Sequence, residues 1–273
     1  HIEVRPLAGA LGAEVAGVDM ARDLDDEVVH EVRQAFLDHL VIFLRDQKVT
    51  PQQQVAFARR FGEPMAYPQL KGLAEAPLIT PVVKLEHERN NFGGIWHSDT
   101  TYLPEPPMGS MLLALEVPPY GGDTLFANQY LAYEQLSEGL RKTLDGLVGI
   151  SSSAKAEVSK TREDQMKKAG AQLQVLTGEH PIVRTHPETG RKALYLTTGQ
   201  AARIAGMSDD ESRLVLELLQ GKCAQPDLVY RHRWRPGDLV MWDNRCTQHY
   251  AVHDYGEHER LLHRTTVTGE RPV

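Results

Sequence analysis

The chain has 273 residues, 41% hydrophobic and 25% charged, enough to bury one substantial core in a single domain spanning 1–273. A net charge of −7 with dispersed Lys and Arg argues against a nucleic-acid partner, and no apolar run approaches the length of a membrane span. Two cysteines, Cys223 and Cys246, with no Cys-X-X-Cys spacing exclude a zinc ribbon or disulfide framework and point to the cytoplasm; the start on His1 rather than Met leaves room for a removed presequence.

Along the chain, Asp23-Leu24-Asp25-Asp26 precedes Val28, Val29, Val32, Phe36 and Leu40 at helical spacing, which predicts a first helix with acids at its favourable end. Val41–Leu44 reads as a short buried strand. Thr50-Pro51 forms an N-cap followed by proline at the first helical position, and Gly62 lies past the last turn, so a second helix is expected over about 51–61. Gly94–Tyr102, rich in β-branched and aromatic residues, predicts a strand that Gly93-Gly94 loosens at its start. Met111–Leu115 predicts another strand before the turn at Pro118–Gly122, and a helix is expected from about Ala132 to Leu147. Ser151–Ala171 is polar, with Lys155, Lys160, Lys167 and Lys168 and no apolar stripe; it reads equally as a mobile lid or as a solvated loop.

Ile182–His186 and Lys192–Leu196 flank the turn Pro187-Glu188-Thr189-Gly190 and predict a hairpin. Ser208-Asp209-Asp210-Glu211 is a capping box opening a helix that closes at Gln220-Gly221. Arg235-Pro236-Gly237-Asp238 is a turn before the buried strand Leu239–Trp242. Short strands separated by turn clusters suggest a barrel or sandwich.

Chemistry concentrates in His97-Ser98-Asp99 and in His249, 150 residues beyond Asp99. In an extended chain His97 and Asp99 share a face roughly 6–7 Å apart, close enough to converge on one ion, and Ser98 points away. Two histidines and a carboxylate on one side of iron(II) leave the opposite positions open for reactants. His-X-Asp alone also fits an ordinary hydrogen-bonded pair in a chain with 12 histidines. Downstream, Arg260 and Arg264 would share a strand face about 13 Å apart, which separates two anion-binding cations.

The blocks Trp96-His97-Ser98-Asp99, Gly121-Gly122-Asp123-Thr124, Trp242-Asp243-Asn244-Arg245, Thr247-Gln248-His249 and Arg260 to Arg264 resemble, in order and spacing, the taurine dioxygenase and phenoxyalkanoate (herbicide) dioxygenase family, from about Ile2 to Pro272. The resemblance implies a mainly β fold with flanking helices, the double-stranded β-helix or distorted jelly roll. It implies an enzyme that uses Fe(II), 2-oxoglutarate and O2 to hydroxylate a small anionic organic substrate, releasing succinate and CO2. His97, Asp99 and His249 would be the metal ligands. Arg260, eleven residues after His249, would grip the far carboxylate of 2-oxoglutarate with support from Thr124, a task suited to the two-pronged guanidinium. Arg264 would hold the substrate anion, assisted by the N–H of Thr100 and by Tyr67.

Retention of Asp99 favours hydroxylation over halogenation. A homo-oligomer, dimer or tetramer, is also implied. Departures at Tyr67, Gly93 and Thr197 turn the expectation away from taurine toward another sulfonate, an alkyl sulfate, an aryloxyalkanoate or another carboxylate. Two alternatives stand beside it: a metal-dependent hydrolase on the same jelly roll, for which a second carboxylate is wanting, and an anion-binding jelly roll without turnover.

Overall fold

The architecture follows from a computed structural model that describes residues 1–68, 70–88, 93–155, 175–197 and 201–273. The first half contains strands β1 (Glu3–Pro6), β2 (Ala13–Ala16) and β3 (Val41–Leu44), with helix α1 (Asp26–His39) between the last two. Helix α2 (Pro51–Arg59) then leads to β4 (Pro64–Met65), β5 (Thr80–Lys84), β6 (Gly109–Glu116) and β7 (Thr124–Asn128). Helices α3 (Gln129–Glu134) and α4 (Glu138–Leu144) precede β8 (Val148–Ser152), β9 (Thr177–Pro181), β10 (Val183–Thr185), β11 (Lys192–Leu194) and β12 (Ala201–Ile204). Helix α5 (Asp209–Cys223) and strands β13 (Val229–His232), β14 (Leu239–Asp243), β15 (Thr247–Ala251) and β16 (Arg260–Val267) complete the chain.

The large sheet runs in the order β1-β2-β3-β14-β6-β16-β4, with β5 also on β16, and the smaller sheet β13-β7-β15 faces it. Strand alternation sorts the side chains between two cores. Ile42, Leu44, Met111, Leu113, Leu239 and Met241 pack with Val32 and Phe36 of α1 and Phe57 of α2. Their neighbours Val41, Phe43, Ala114, Val240, Trp242 and Leu262 point the other way, onto Phe126 of the small sheet. Arg260 and Arg264 share the parity of Leu262, so β16 carries both into the space between the sheets, as the spacing predicts.

The predicted capping box of Ser208 with Glu211 forms, and the predicted N-cap Thr50 also closes a capping box with Gln53. Three expectations change. The strand over Gly94–Tyr102 is a single bridge in which His97 exchanges both backbone hydrogen bonds with His249 (3.1 and 2.8 Å). The chain then turns, because Thr100 adopts φ +43°, a left-handed conformation that no β-ladder continues. The helix expected over Ala132–Leu147 is two helices, started by the side chains of Asn128 and Ser137, each accepting backbone N–H bonds. Helix α5 runs through Gly221 to Cys223, whose burial in the core formed with α3 and β11 holds the extra turn. Of the possible lid, 156–171 lies outside the described residues. Among the described residues no helix is long and apolar enough to cross a membrane.

Candidate active site

His97, Asp99 and His249 meet between the sheets, all buried, with their ligand atoms within 4.8 Å of one another. The imidazole rings lie 4.1 Å apart, and both Nε2 atoms stand 3.8 Å from Asp99 Oδ1. The bridge to β15 fixes His97, and the turn after it, rather than strand alternation, brings Asp99 round. Ser98 is clamped from both sides: its N–H donates to Thr197 Oγ1 (3.1 Å) and its hydroxyl to the Thr247 carbonyl (2.7 Å). His97 Nδ1 donates to the Ile95 carbonyl (2.7 Å), which leaves the Nε2 lone pair toward the cluster. Gly93, at φ +86°, backs this ring; a Cβ there would stand 3.2 Å from His97 Cε1.

The electrostatics suit a cation. Burial by itself would raise the Asp99 carboxyl, but Arg264, His249 and His97 hold it well below the usual carboxylate range. Burial, with His97 and Arg264 adding to it against the pull of Asp99, keeps His249 neutral by pushing it well below the ordinary histidine value. Asp99 Oδ1 has no hydrogen-bond partner although it is buried, a condition that costs about 1–3 kcal/mol unless something else occupies it. Two imidazoles, one carboxylate and no thiolate fit an iron(II) ion with open positions.

On one side of this cluster stands Arg264, whose guanidinium lies 4.6 Å from the centre of the Tyr67 ring and contacts Asp99 Oδ2 and Ser110 Oγ. Thr100 follows Asp99 directly, and its Oγ1 is buried with no hydrogen-bond partner. Positive φ in a β-branched residue is strained, as often found at functional sites.

Elsewhere on the inner face, Arg260 stacks on Trp234, its Cζ 5.4 Å from the ring, and the Trp234 indole donates to Thr124 Oγ1 (2.9 Å). Arg260 is buried, its pKa is lowered by that burial, and among the described residues no carboxylate forms a salt bridge with it. An unpaired buried cation calls for an anion. The fold thus gathers the predicted residues into a metal-like cluster with Arg264, Tyr67 and Thr100 beside it, and an Arg260–Trp234–Thr124 group.

Sequence reasoning missed Trp234, Ser110 and Asn244. Asn244 stood inside a family-like block, but neither Trp234 nor Ser110 carried a motif. Thr197, read as a departure, is the acceptor that anchors Ser98.

A jelly roll holding two histidines and a carboxylate between its sheets, with buried arginines beside them, defines a non-haem iron oxygenase architecture. The family described as "Taurine catabolism dioxygenase TauD, TfdA family" matches residues 3–266. The chain is 37% identical to the alpha-ketoglutarate-dependent sulfate ester dioxygenase of Pseudomonas putida over 100% of this chain and 91% of that protein. It is 36% identical to the alkylsulfatase of Acinetobacter baylyi over 99% and 86% respectively. The crystal structure of a taurine dioxygenase from Burkholderia xenovorans superposes with a TM-score of 0.85 at 38% identity, covering 100% of this chain and 92% of that one. The chain belongs to the TauD/TfdA family and is a dioxygenase dependent on Fe(II), 2-oxoglutarate and O2. The hydrolase and binding-only alternatives give way to this.

Proposed function

We propose that the protein is a sulfate ester dioxygenase, in which His97, Asp99 and His249 hold the iron, Arg260 and Thr124 hold the far carboxylate of 2-oxoglutarate, and Arg264 holds the sulfate head. Iron(II) with 2-oxoglutarate and O2 supplies the oxidising power for C–H hydroxylation, with succinate and CO2 as coproducts. The observation that carries the substrate reading is the buried Arg264 guanidinium beside the ligand cluster, stacked on Tyr67 and next to the strained Thr100, whose N–H would assist it. An anion on Arg264 brings the carbon next to its ester oxygen toward the metal, so position selects the bond. Hydroxylation there gives RCH(OH)OSO3−; its C–O bond to sulfate breaks as the hydroxyl proton leaves, yielding an aldehyde and hydrogen sulfate.

The chain's own groups prepare this. A neutral His249 and an anionic Asp99 need no deprotonation at neutral pH before ligating. Trp234 orients the Thr124 hydroxyl through its indole N–H and supports Arg260 from one face, so the cosubstrate carboxylate would meet a preformed cation. Likeness to the two sulfate-ester-directed relatives supports the choice of head group.

The test is anaerobic reconstitution with iron(II), then exposure to O2 with a medium-chain alkyl sulfate, an alkylsulfonate and an aryloxyacetate, following succinate and released sulfate together. Equal amounts of succinate and sulfate from the alkyl sulfate, reduced severely in Arg264→Ala, are expected. Succinate driven best by the aryloxyacetate would overturn the sulfate ester assignment and leave the oxygenase intact.

A further inference from the structure

The geometry points to a directed hydrogen-bond chain, Trp242 to Asn244 to Ser110 to Asp99, as a positioning device that makes the Asp99 carboxylate present one oxygen, and only one, to the metal. The inference rests on the reading of His97, Asp99 and His249 as the iron site.

Each link has one possible direction. The Trp242 indole N–H can only donate, and it lies 2.9 Å from Asn244 Oδ1. That fixes which end of the Asn244 amide is oxygen and leaves Nδ2, a donor, against Ser110 Oγ at 3.2 Å. Arg264 Nη2, again only a donor, reaches the same Ser110 oxygen at 3.3 Å. A hydroxyl has two acceptor sites and one proton. With both acceptor sites taken by Asn244 and Arg264, the Ser110 proton must go to Asp99 Oδ2, 2.7 Å away. Arg264 also contacts that same Oδ2 directly. The result is a divided carboxylate. Oδ2 is tied to Ser110 and Arg264, whereas Oδ1 has no hydrogen-bond partner and faces both imidazole Nε2 atoms at 3.8 Å.

The chain is rigid as well as directed. Ser110 and Trp242 pair across the β6–β14 ladder, and Asn244 begins the turn directly after β14. All three are at most 1% exposed, so water cannot replace a missing link. Asn244 Oδ1 also lies 3.4 Å from the backbone N of Asp99, placing the amide against the turn that carries the ligand.

The consequence is chemical. With iron held by His97, Asp99 and His249, the remaining positions would have to serve O2 and one end of the 2-oxo acid, its keto oxygen and the carboxylate beside it. A carboxylate free to swing both oxygens onto the metal would occupy one of those positions. By holding Oδ2, Ser110 reserves it.

Cobalt(II) is the probe, since it binds the same ligand types and its visible spectrum reports coordination number without turnover. Apo wild type, Ser110→Ala, Ser110→Thr, Asn244→Asp and Asp99→Ala are titrated with Co(II) in the presence of 2-oxoglutarate. Loss of an outer partner of this kind typically weakens metal binding by about 10–100-fold. That loss is expected for Ser110→Ala, together with weaker visible bands as the coordination number rises, and Ser110→Thr restores both. Asn244→Asp is the sharper variant: it preserves shape and the acceptor for Trp242 but lacks the donor, so Ser110 turns its proton away from Asp99 and affinity falls. An added negative charge acting through space alone would instead tighten the cation.

Wild-type affinity and spectrum in Ser110→Ala, or tighter binding in Asn244→Asp, overturns the proposal. If Ser110→Ala does not fold, judged by near-ultraviolet circular dichroism, Asn244→Asp decides. Failure of the underlying site reading looks different: Asp99→Ala then binds Co(II) as well as wild type does.

Discussion

Two buried aspartates, Asp99 in the turn after His97 and Asp243 at the end of β14, look alike in composition. Each is 1% exposed, and each stands with two other potential ligands, Asp99 with His97 and His249, Asp243 with His186 and Cys246, in a group compact enough to hold an ion. Each is also held well below the usual carboxylate range against the opposing effect of burial. The difference lies in the lone pairs. A carboxylate offers about four acceptor sites. On Asp243, Oδ1 accepts from the N (2.9 Å) and Nε (2.8 Å) of Arg245, and Oδ2 from Arg245 Nη2 (2.7 Å) and His186 Nε2 (3.0 Å). Nothing is left for a metal, and burial with the nearby Asp243 charge drives the Cys246 thiol well above its ordinary value, so it stays protonated. On Asp99, one oxygen is spoken for and the other is empty. Ligand identity alone does not separate a metal centre from a structural knot; the unfilled lone pair does.

The largest effect should come from cutting the knot. Arg245 bridges Asp243 to Glu188 (2.8 Å), and Glu188 reaches Arg33 of α1, so the network ties helix, hairpin turn and sheet together. Asp243→Ala strands a buried guanidinium and should cost about 3–5 kcal/mol in urea unfolding of the apo protein. The folded fraction should still bind one metal ion per chain. Asp99→Asn also loses an ion pair, with Arg264, but its distinguishing result is loss of metal binding in a folded protein. A folded Asp243→Ala protein that binds no metal would erase the contrast.

pH sharpens it further. His249 titrates lower in the fold than in the unfolded chain, so its contribution to stability is complete above about 6.5 and is lost as pH falls below that value. His180, His232 and His263 are lowered too, each chiefly by burial, and add to the same slope. The depressed Asp99 and Asp243 contribute stability that is present above about 3.9 and lost as pH falls further. The apo protein should therefore weaken in two stages on acidification. Bound metal, which competes with the proton at His249, should delay the first; thermal unfolding of apo and Co(II)-loaded protein from pH 8 to 4 checks this. Coincident curves would count against His249 as a ligand.

Much of this was legible because it is local. The capping box at Ser208, the N-cap at Thr50, the continuous apolar runs of β3 and β14, and the His97-Ser98-Asp99 spacing are short-range patterns, and the four-residue interval between Arg260 and Arg264 carried their shared face directly. What stayed hidden depends on register between distant segments. Ser110 joins Trp242 and Asn244 only because β6 lies beside β14, and Trp234 reaches Thr124 across more than a hundred residues of chain. The turn at Thr100 was read as strand because residue preference there is β-like, and the clamp on Ser98 overrides it.

That clamp gives the smallest of the expected effects. Thr197→Val keeps shape and removes the acceptor for the Ser98 N–H, leaving a buried donor unpaired at a cost of about 1–3 kcal/mol. Ser98 retains its hydroxyl bond to the Thr247 carbonyl, and Asp99 retains Ser110 and Arg264, so the ligand turn loosens without being released. Co(II) affinity should therefore fall by less than in Ser110→Ala, while apo stability falls by less than in Asp243→Ala. Measured side by side, the three variants rank the supports by what they touch: the fold at Asp243, the metal at Ser110, and a little of both at Thr197. A Thr197→Val protein that loses metal as completely as Asp99→Asn would mean that the turn, rather than the hydrogen bonds on Oδ2, sets the ligand geometry.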